Sequence, residues 1–492
     1  MLEQYFRSPM DAHSTKQQQM RERLIEAILD GALPRHEPLP STRELADLVG
    51  VSRNTAMLVY QRLTDDGFLI AHPRRGHFID AHYLDRRLVQ RGAVDAPPDT
   101  ATANPANWSA RFAMGAAKLR NIVKPVNWRE QPYPFVYGQV MADDIGLARW
   151  RDALRSAGSS RHAGAWIGDQ VDADDPLLLA QILTRVLPQR GIRARAENLL
   201  ITIGAQNALY LIAQALTGPG TRVGLEDPGY ADAFNIFRSR GATLVPLPVD
   251  GEGVMAADAM ASCDLICATP SHQCPTGATM SLDRRTALAR MAREADLLVV
   301  EDDYEHELNF TGAPRAALKS HDASDRVIYA GSLTKTLFPG LRLGFVVAAP
   351  EVIEELRAVR RLMYRHPPAL DQRAMAVFMA EGHLDAHLRR TRAHLSARWS
   401  AMTAALGALA PEVALSPTSG GSAIWARLPG TLDARDVARA AMARGVVIEA
   451  GDVHFLRPDP PRAYMRLGFA ALPTHRIAPG VALLAQAIHE AT

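Results

Sequence analysis

Gly331-Ser332-Leu333-Thr334-Lys335-Thr336-Leu337-Phe338-Pro339-Gly340-Leu341-Arg342-Leu343-Gly344-Phe345 follows directly on Arg326-Val327-Ile328-Tyr329-Ala330. The earlier run reads as a buried strand. Gly-Ser ends it, Lys335 comes at once, and Arg342 opens a second apolar run seven residues later. In an open α/β sheet, ligands sit beyond the carboxyl ends of the strands. A lysine placed there and partly desolvated loses its proton and attacks a carbonyl to form a Schiff base. Ser332 and Arg342 suit a phosphate, the arginine through its planar fork.

On either side of this stretch the same pattern recurs. Apolar runs lie at 199–203, 222–225, 243–249, 265–268, 297–300, 327–330 and 343–348, with amphipathic segments long enough for crossovers between them. They predict a doubly wound, mostly parallel sheet of about seven strands. A long helical stretch over 351–409 follows, then a smaller α+β lobe with apolar runs at 422–428, 446–448 and 465–469.

Polar signals stand just after these runs. They are Gly204-Ala205-Gln206-Asn207, Glu226-Asp227-Pro228-Gly229-Tyr230, Pro270-Ser271-His272-Gln273-Cys274-Pro275-Thr276-Gly277, Glu301-Asp302-Asp303-Tyr304, and Ser332 with Lys335. Pyridoxal 5'-phosphate (PLP) needs such an inventory. A lysine takes its aldehyde, a carboxylate keeps its ring nitrogen protonated, and an aromatic ring and a phenol flank the ring. Backbone amides opening a helix and an arginine hold its phosphate. Five such signals in chain order at successive strand ends predict a PLP site.

Residues 17–79 read as a separate small unit. Met20, Leu24, Ile25, Ile28 and Leu29 recur at helical spacing until Gly31. Ser41 or Thr42 caps a second helix with Glu44 early in its first turn, and Leu45, Ala46 and Val49 form its inner face. Gly50 allows a tight turn, and Ser52 caps a third helix, from Arg53 to about Asp66, expected to bury Leu58, Val59 and Leu63. Phe68-Leu69-Ile70 and Phe78-Ile79 flank the basic tip Pro73-Arg74-Arg75-Gly76 as a hairpin. This is a winged helix-turn-helix. Arg53, Asn54 and Thr55 open the helix that faces base edges, while Arg43, Arg74 and Arg75 suit phosphates or the minor groove. The first 80 residues hold ten Lys/Arg and eleven Asp/Glu, so any DNA contact rests on local arginines and not on a general positive field.

Leu39-Pro40-Ser41-Thr42-Arg43-Glu44-Leu45-Ala46, Val51-Ser52-Arg53-Asn54-Thr55 and Gly67-Phe68-Leu69 resemble the N-terminal domain of GntR-type regulators. The strand-end constellation resembles the fold-type-I aminotransferases. Together the chain is similar to a MocR/GabR-type transcriptional regulator. That resemblance implies a winged helix-turn-helix domain over 1–80, a linker over 81–125 and an aminotransferase-like domain over 126–492. It implies Lys335 as the Schiff-base lysine, Asp302 as partner of the pyridine nitrogen, Tyr304 at the ring hydroxyl and Tyr230 stacked on the ring. Ala205, Gln206, Ser332 and Arg342 would hold the phosphate. Arg466, in Tyr464-Met465-Arg466-Leu467-Gly468-Phe469, falls where aminotransferases keep the arginine for a substrate carboxylate. Cys274 departs from the asparagine usual before Pro-Thr-Gly, which favours regulation over turnover. Asp169, Asp172, Asp174 and Asp175 replace a glycine-containing turn.

Composition narrows the partners. Net charge is only +2, which argues for no membrane surface and no bulk attraction to nucleic acid. Cys263, Cys267 and Cys274 lie within twelve residues and read as reduced core or site residues of a cytoplasmic protein. No second Cys/His pair stands at zinc-ligand spacing, so no metal is expected. Residues 95–105 carry little bulky apolar content and read as a semi-extended linker, with a short helix expected over 83–90. The expectation is a homodimeric, DNA-binding regulator in which an amino-acid-like amine displaces Lys335 from PLP by transaldimination. Its rivals are a working aminotransferase with a fused DNA-binding unit and a regulator that senses PLP itself.

Overall fold

In the computed structural model, residues 5–6, 15–34, 37–81, 106–136, 138, 140, 143–255, 258–310, 315–335, 337–418 and 420–491 are described. Most of the linker, 82–105 with the helix expected at 83–90, lies outside them. Contacts divide the chain into a unit over Met1–Arg111 and another over Phe112–Thr492.

In the first unit, local capping chemistry sets the helices. α1 (Lys16–Leu29) starts where the Thr15 hydroxyl accepts the Gln18 N–H at 3.2 Å. α2 (Thr42–Val49) opens on a capping box. The Glu44 N–H donates to Ser41 Oγ at 3.2 Å, and the Ser41 N–H donates to Glu44 Oε2 at 2.7 Å. Gly50, at φ 70°, closes α2 in the left-handed region that a side chain disfavours. α3 (Arg53–Asp65) begins at Ser52, whose hydroxyl accepts the Thr55 N–H at 3.1 Å. β1 (Leu69–His72) and β2 (Gly76–Ile79) pair antiparallel as the wing. Met20, Leu24, Leu45, Val59, Leu63 and Phe68 meet in the core. The expectation that Leu58 is buried fails: it is 49% exposed. The inner stripe of α3 is Ala56, Val59, Tyr60 and Leu63, an i, i+3, i+4, i+7 set, and Leu58 lies off it.

The second unit is built on an eight-stranded sheet. Its strands are β4 (Leu199–Thr202), β5 (Arg222–Asp227), β6 (Thr243–Asp250), β7 (Gly253–Val254), β8 (Leu265–Ala268), β9 (Leu298–Asp303), β10 (Val327–Ser332) and β11 (Gly344–Val347), in the order β4-β11-β10-β9-β8-β5-β6-β7. All seven expected strands are present; the eighth, β7, is a two-residue return of β6. β11 runs antiparallel to both β10 and β4, and β7 antiparallel to β6, while the other pairs are parallel. Alternate residues serve opposite faces, as a strand requires. Tyr329, Phe345 and Val347 enter one core, while Ile328, Ala330 and Val346 enter another. Both faces are covered, which is why these strands read as unbroken apolar runs.

Three helices, Pro350–Tyr364, Ala369–Ala380 and His383–Leu409, occupy the long helical stretch. The smaller lobe carries β12 (Ala414–Leu415), β13 (Ala423–Arg427), β15 (Glu449–Ala450) and β16 (Tyr464–Gly468) in the order β12-β13-β16-β15. Beside it, β3 (Tyr133–Pro134) pairs in parallel with β14 (Val446–Val447). The Asp-rich segment is structural. Asp174, fully buried, pairs with Arg360 at 2.6 Å and Arg357 at 3.1 Å and accepts the Ile201 N–H at 3.2 Å. Asp175 caps the helix Pro176–Gln181 and pairs with Arg373 at 2.8 Å.

Residues 112–125, read from sequence as the end of the linker, fall within the second unit. The Arg120 guanidinium donates to the Asp452 backbone carbonyl. Asn235 Nδ2 donates to the Arg120 carbonyl at 2.9 Å, and Asn121 Nδ2 to Asp232 Oδ1 at 2.6 Å. These polar ties hold a segment that has too little apolar surface to announce itself. No helix among the described residues is long and apolar enough to cross a membrane.

Candidate functional site

Because β4, β5, β8, β9 and β10 run the same way, their carboxyl ends converge on one edge of the sheet. A cavity of about 520 Å³ opens there, lined by Lys335, Asp302, Tyr304, Tyr230, Ala205, Gln206, Ser332, Arg342, Cys274 and Arg466 among others. The eight residues expected to hold PLP and the arginine expected to hold an acid group therefore share one space.

Lys335 lies in the turn after β10, where the Ser332 hydroxyl accepts its N–H at 3.2 Å. Its Nζ stands 5.7 Å from the centre of the Tyr304 ring. Burial pushes the pKa of its ammonium below the usual lysine value, Glu305 opposes the shift and Arg466 adds to it. A neutral amine is thereby more accessible than in water. Gly138 contributes by absence, since a Cβ there would come within 3.4 Å of Lys335 Nζ.

The two aspartates ending β9 do different work. Asp303 is ion-paired with Arg190 at 2.8 Å and accepts the Tyr329 hydroxyl at 2.6 Å. Burial works against its charge, but Arg190 holds its carboxyl well below the usual carboxylate range. Asp302 faces the cavity, 4% exposed, and its Oδ1 accepts no hydrogen bond among the described residues. Burial, with Asp303 next to it, raises its pKa to about 7, and Lys335 pulls it back. Such an atom lacks a donor, and a protonated pyridine nitrogen is one.

At the phosphate end, the helix Gly204–Leu216 begins with no side-chain cap, leaving its first N–H groups for a ligand. The Arg342 guanidinium packs where a Cβ on Gly204 would sit, 3.2 Å away, and donates to the Ile203 carbonyl at 3.4 Å. Gly204 is at φ 77°, so the glycine is required twice over. Tyr230 donates its hydroxyl to Asp232 at 3.0 Å.

Arg466, 1% exposed, is ion-paired through Nε with Glu449 at 3.2 Å and donates to Cys274 Sγ at 3.5 Å. Burial pushes the Cys274 thiol up to about 11, with Arg466 drawing it down, so a neutral thiol stands at this position. Glu449, Lys124, Asn121 and Asp232 also line the cavity and escaped the sequence reading. Glu449 had a signal, a lone charge directly after the apolar run Val446-Val447-Ile448. Lys124 had none.

In the first unit, Arg43, Arg53 and Asn54 are exposed, as are Arg74 and Arg75 at the wing tip. Arg75 lies over the Phe78 ring at 5.8 Å. Ser52 is engaged in the cap, and its hydroxyl pairs with that of Thr55 at 2.9 Å.

Residues 16–79 match the family of bacterial regulatory proteins named gntR, and residues 171–482 match aminotransferase class I and II. The HTH-type transcriptional regulator TauR of Rhodobacter capsulatus is 37% identical over 487 residues, covering 99% of each chain. The probable rhizopine catabolism regulatory protein MocR of Rhizobium meliloti is 31% identical over 478 residues, covering 96% of this chain and 93% of that one. The chain belongs to the MocR/GabR-type transcriptional regulators. Among solved structures, the α-aminoadipate aminotransferase LysN of Thermus thermophilus, complexed with N-(5'-phosphopyridoxyl)-L-leucine, is similar with a TM-score of 0.69 and 29% identity. The match covers 78% of this chain and 99% of that one. PLP is the cofactor of the aminotransferase-like domain of this MocR/GabR-type regulator, and the orphaned Asp302 oxygen, the uncapped helix and the desolvated lysine fit it.

Proposed function

We propose that this MocR/GabR-type regulator binds operator DNA as a homodimer in the cytoplasm and responds to an amino-acid-like amine that enters the Lys335 cavity. The observation that carries the proposal is the desolvated Lys335 amine beside an unsatisfied Asp302 oxygen. PLP, when bound, supplies an aldehyde that exchanges one amine for another. Lys335 would hold that aldehyde through its amine. Asp302 would keep a proton on the ring nitrogen. Tyr304 and Tyr230 would flank the ring. Ser332, Arg342 and the backbone N–H groups of Ala205 and Gln206 would hold the phosphate. Arg466 receives the acid group of the incoming amine.

An amine that fills the cavity would bias the lobes. Glu305, directly after Tyr304, accepts the Ser422 hydroxyl from the smaller lobe at 2.7 Å, and the Gly421 N–H donates to the Leu308 carbonyl at 2.8 Å. Glu305 is also the strongest group favouring charge on Lys335. A change at Lys335 is thus felt at a contact between lobes. An amine alters DNA affinity only by the difference in its affinity for two states of the protein. On the DNA side, Arg53 and Asn54 read base edges, with Arg43, Arg74 and Arg75 on phosphates or in the minor groove.

The test is a titration of the PLP-loaded protein with a panel of amines, following visible absorbance and operator affinity together. Coincident changes support sensing. Operator affinity that responds to PLP alone would make PLP the signal, and sustained product formation with an oxo-acid would make the protein an enzyme.

A further inference from the structure

The outward face of α3 carries an apolar pair that the fold does not use. The inward stripe is Ala56, Val59, Tyr60 and Leu63. On the other side, Met57 is 53% exposed and Leu58 49%. One exposed leucine or methionine is ordinary on a protein surface, but two side by side on one helix make a patch. Its neighbours indicate what covers it. Residues four apart are adjacent on a helix surface, so Met57 stands beside Arg53 and Leu58 beside Asn54. All four are exposed. Among the described residues of α3, no exposed position before Asp65 is a carboxylate, and Asp65 accepts from Gln61 at 3.1 Å. Arg43 on α2 and Arg74 and Arg75 on the wing are exposed as well. A face that combines arginines, an amide and an apolar patch, and keeps acids away, is matched to a polyanion with apolar spots. The major groove of DNA is such a surface, and its apolar spots are the thymine methyl groups.

We infer that Met57 and Leu58 are specificity residues that read the C5 methyl groups of thymines in the operator. The inference rests on the DNA-binding half of the reading above and is independent of amine sensing. Arginine and asparagine read guanine and adenine through hydrogen bonds, whereas a thymine methyl is recognised by an apolar side chain. Contact between them removes apolar surface from water on both partners. Methionine, with three rotatable bonds and a polarisable sulfur, adapts its shape to the methyl. The helix sets the spacing. Four residues advance about 6 Å along its axis, close to two base steps of about 3.4 Å. The methyls therefore lie within about two base pairs of the bases that Arg53 and Asn54 read. Alanine is the best helix former, so at either position it leaves α3 with its Ser52 cap and its buried stripe. Neither side chain is required by the fold.

The experiment uses the full-length, PLP-loaded protein. Duplexes that it binds specifically are selected from a random library. Each thymine of the selected half-site is then replaced in turn by deoxyuridine, which lacks only the methyl. Affinities are measured at fixed salt for wild type, Met57→Ala and Leu58→Ala. Wild type should lose about three- to fivefold at each thymine that is read, the worth of one buried methyl. Those thymines should lie within about two base pairs of a base whose substitution weakens wild type but not Arg53→Ala or Asn54→Ala. Met57→Ala and Leu58→Ala should each bind the thymine duplex more weakly by a similar factor, and each should be indifferent to deoxyuridine at its own position. Both should keep the wild-type thermal transition and salt dependence, since neither side chain neutralises a phosphate. A deoxyuridine penalty that is absent in wild type, or that persists in both variants, overturns the inference while leaving DNA binding standing. A penalty erased by one variant alone assigns the methyl to that residue and removes the other from readout. Selection that enriches no sequence overturns specific DNA binding by this unit, and this inference with it.

Discussion

At the scale of single residues, the site is a set of charges held against their preference. Lys335→Ala should abolish borohydride-trapped cofactor, measured by mass of the tryptic peptide; retained covalent label would remove Lys335 from its role. Asp302 gives a pH signature. Its pKa rises from 3.8 to about 7 in the fold, so between these values the folded chain holds more protons than the unfolded one. Its contribution to stability is full below pH 3.8 and is lost as pH rises through about 7. In cofactor-free protein, Asp302→Asn should flatten the fall in stability across that window, read by denaturant unfolding at stepped pH. An unaltered slope would mean that the charge is satisfied elsewhere. The division of labour between Asp302 and Asp303 was only half legible in sequence. An apolar run ending in two aspartates marks a strand end, but only the positions of Arg190 and Tyr329 decide which carboxylate is engaged and which is open. Lys124 and Glu449 were illegible as a pair for a related reason. The contacts that seat the 112–125 segment, such as Arg120 with Asp452, join residues 332 positions apart.

At the scale of elements, the recognition helix and the Asp-rich segment make separate predictions. Ser52 begins α3 by accepting the Thr55 N–H, so Ser52→Ala should destabilise the first unit by about 1 kcal/mol, seen in its thermal transition. Arg53→Ala, one residue on and exposed, should leave that transition in place and weaken specific operator binding by about 1–3 kcal/mol. An unchanged operator affinity would move readout to the wing. Asp174→Ala leaves Arg360 buried without its carboxylate and should cost about 3–5 kcal/mol, measured by chemical unfolding. Sequence located the helices and seven strands because both carry strong periodic or unbroken apolar signals. It misjudged Leu58 because the inner stripe of α3 runs through 56, 59, 60 and 63, and Leu58 lies one position outside it. It missed β7 because a two-residue strand has no pattern to read.

At the scale of the whole molecule, a two-fold dimer implies operator sites in pairs. Sedimentation should give a mass of twice 53.6 kDa, and footprinting should protect two half-sites whose spacing, once altered by half a helical turn, destroys binding. A monomer contacting a single half-site would refute this arrangement. The 112–125 segment has one practical consequence for anyone who isolates the aminotransferase-like domain. Trimming at the apparent end of the winged helix and its low-complexity tail, near residue 126, would leave the catalytic-looking body intact and able to colour with vitamin B6. It would also remove one wall of the chamber, so screens run on that fragment would rank ligands by rules that the full-length regulator does not obey.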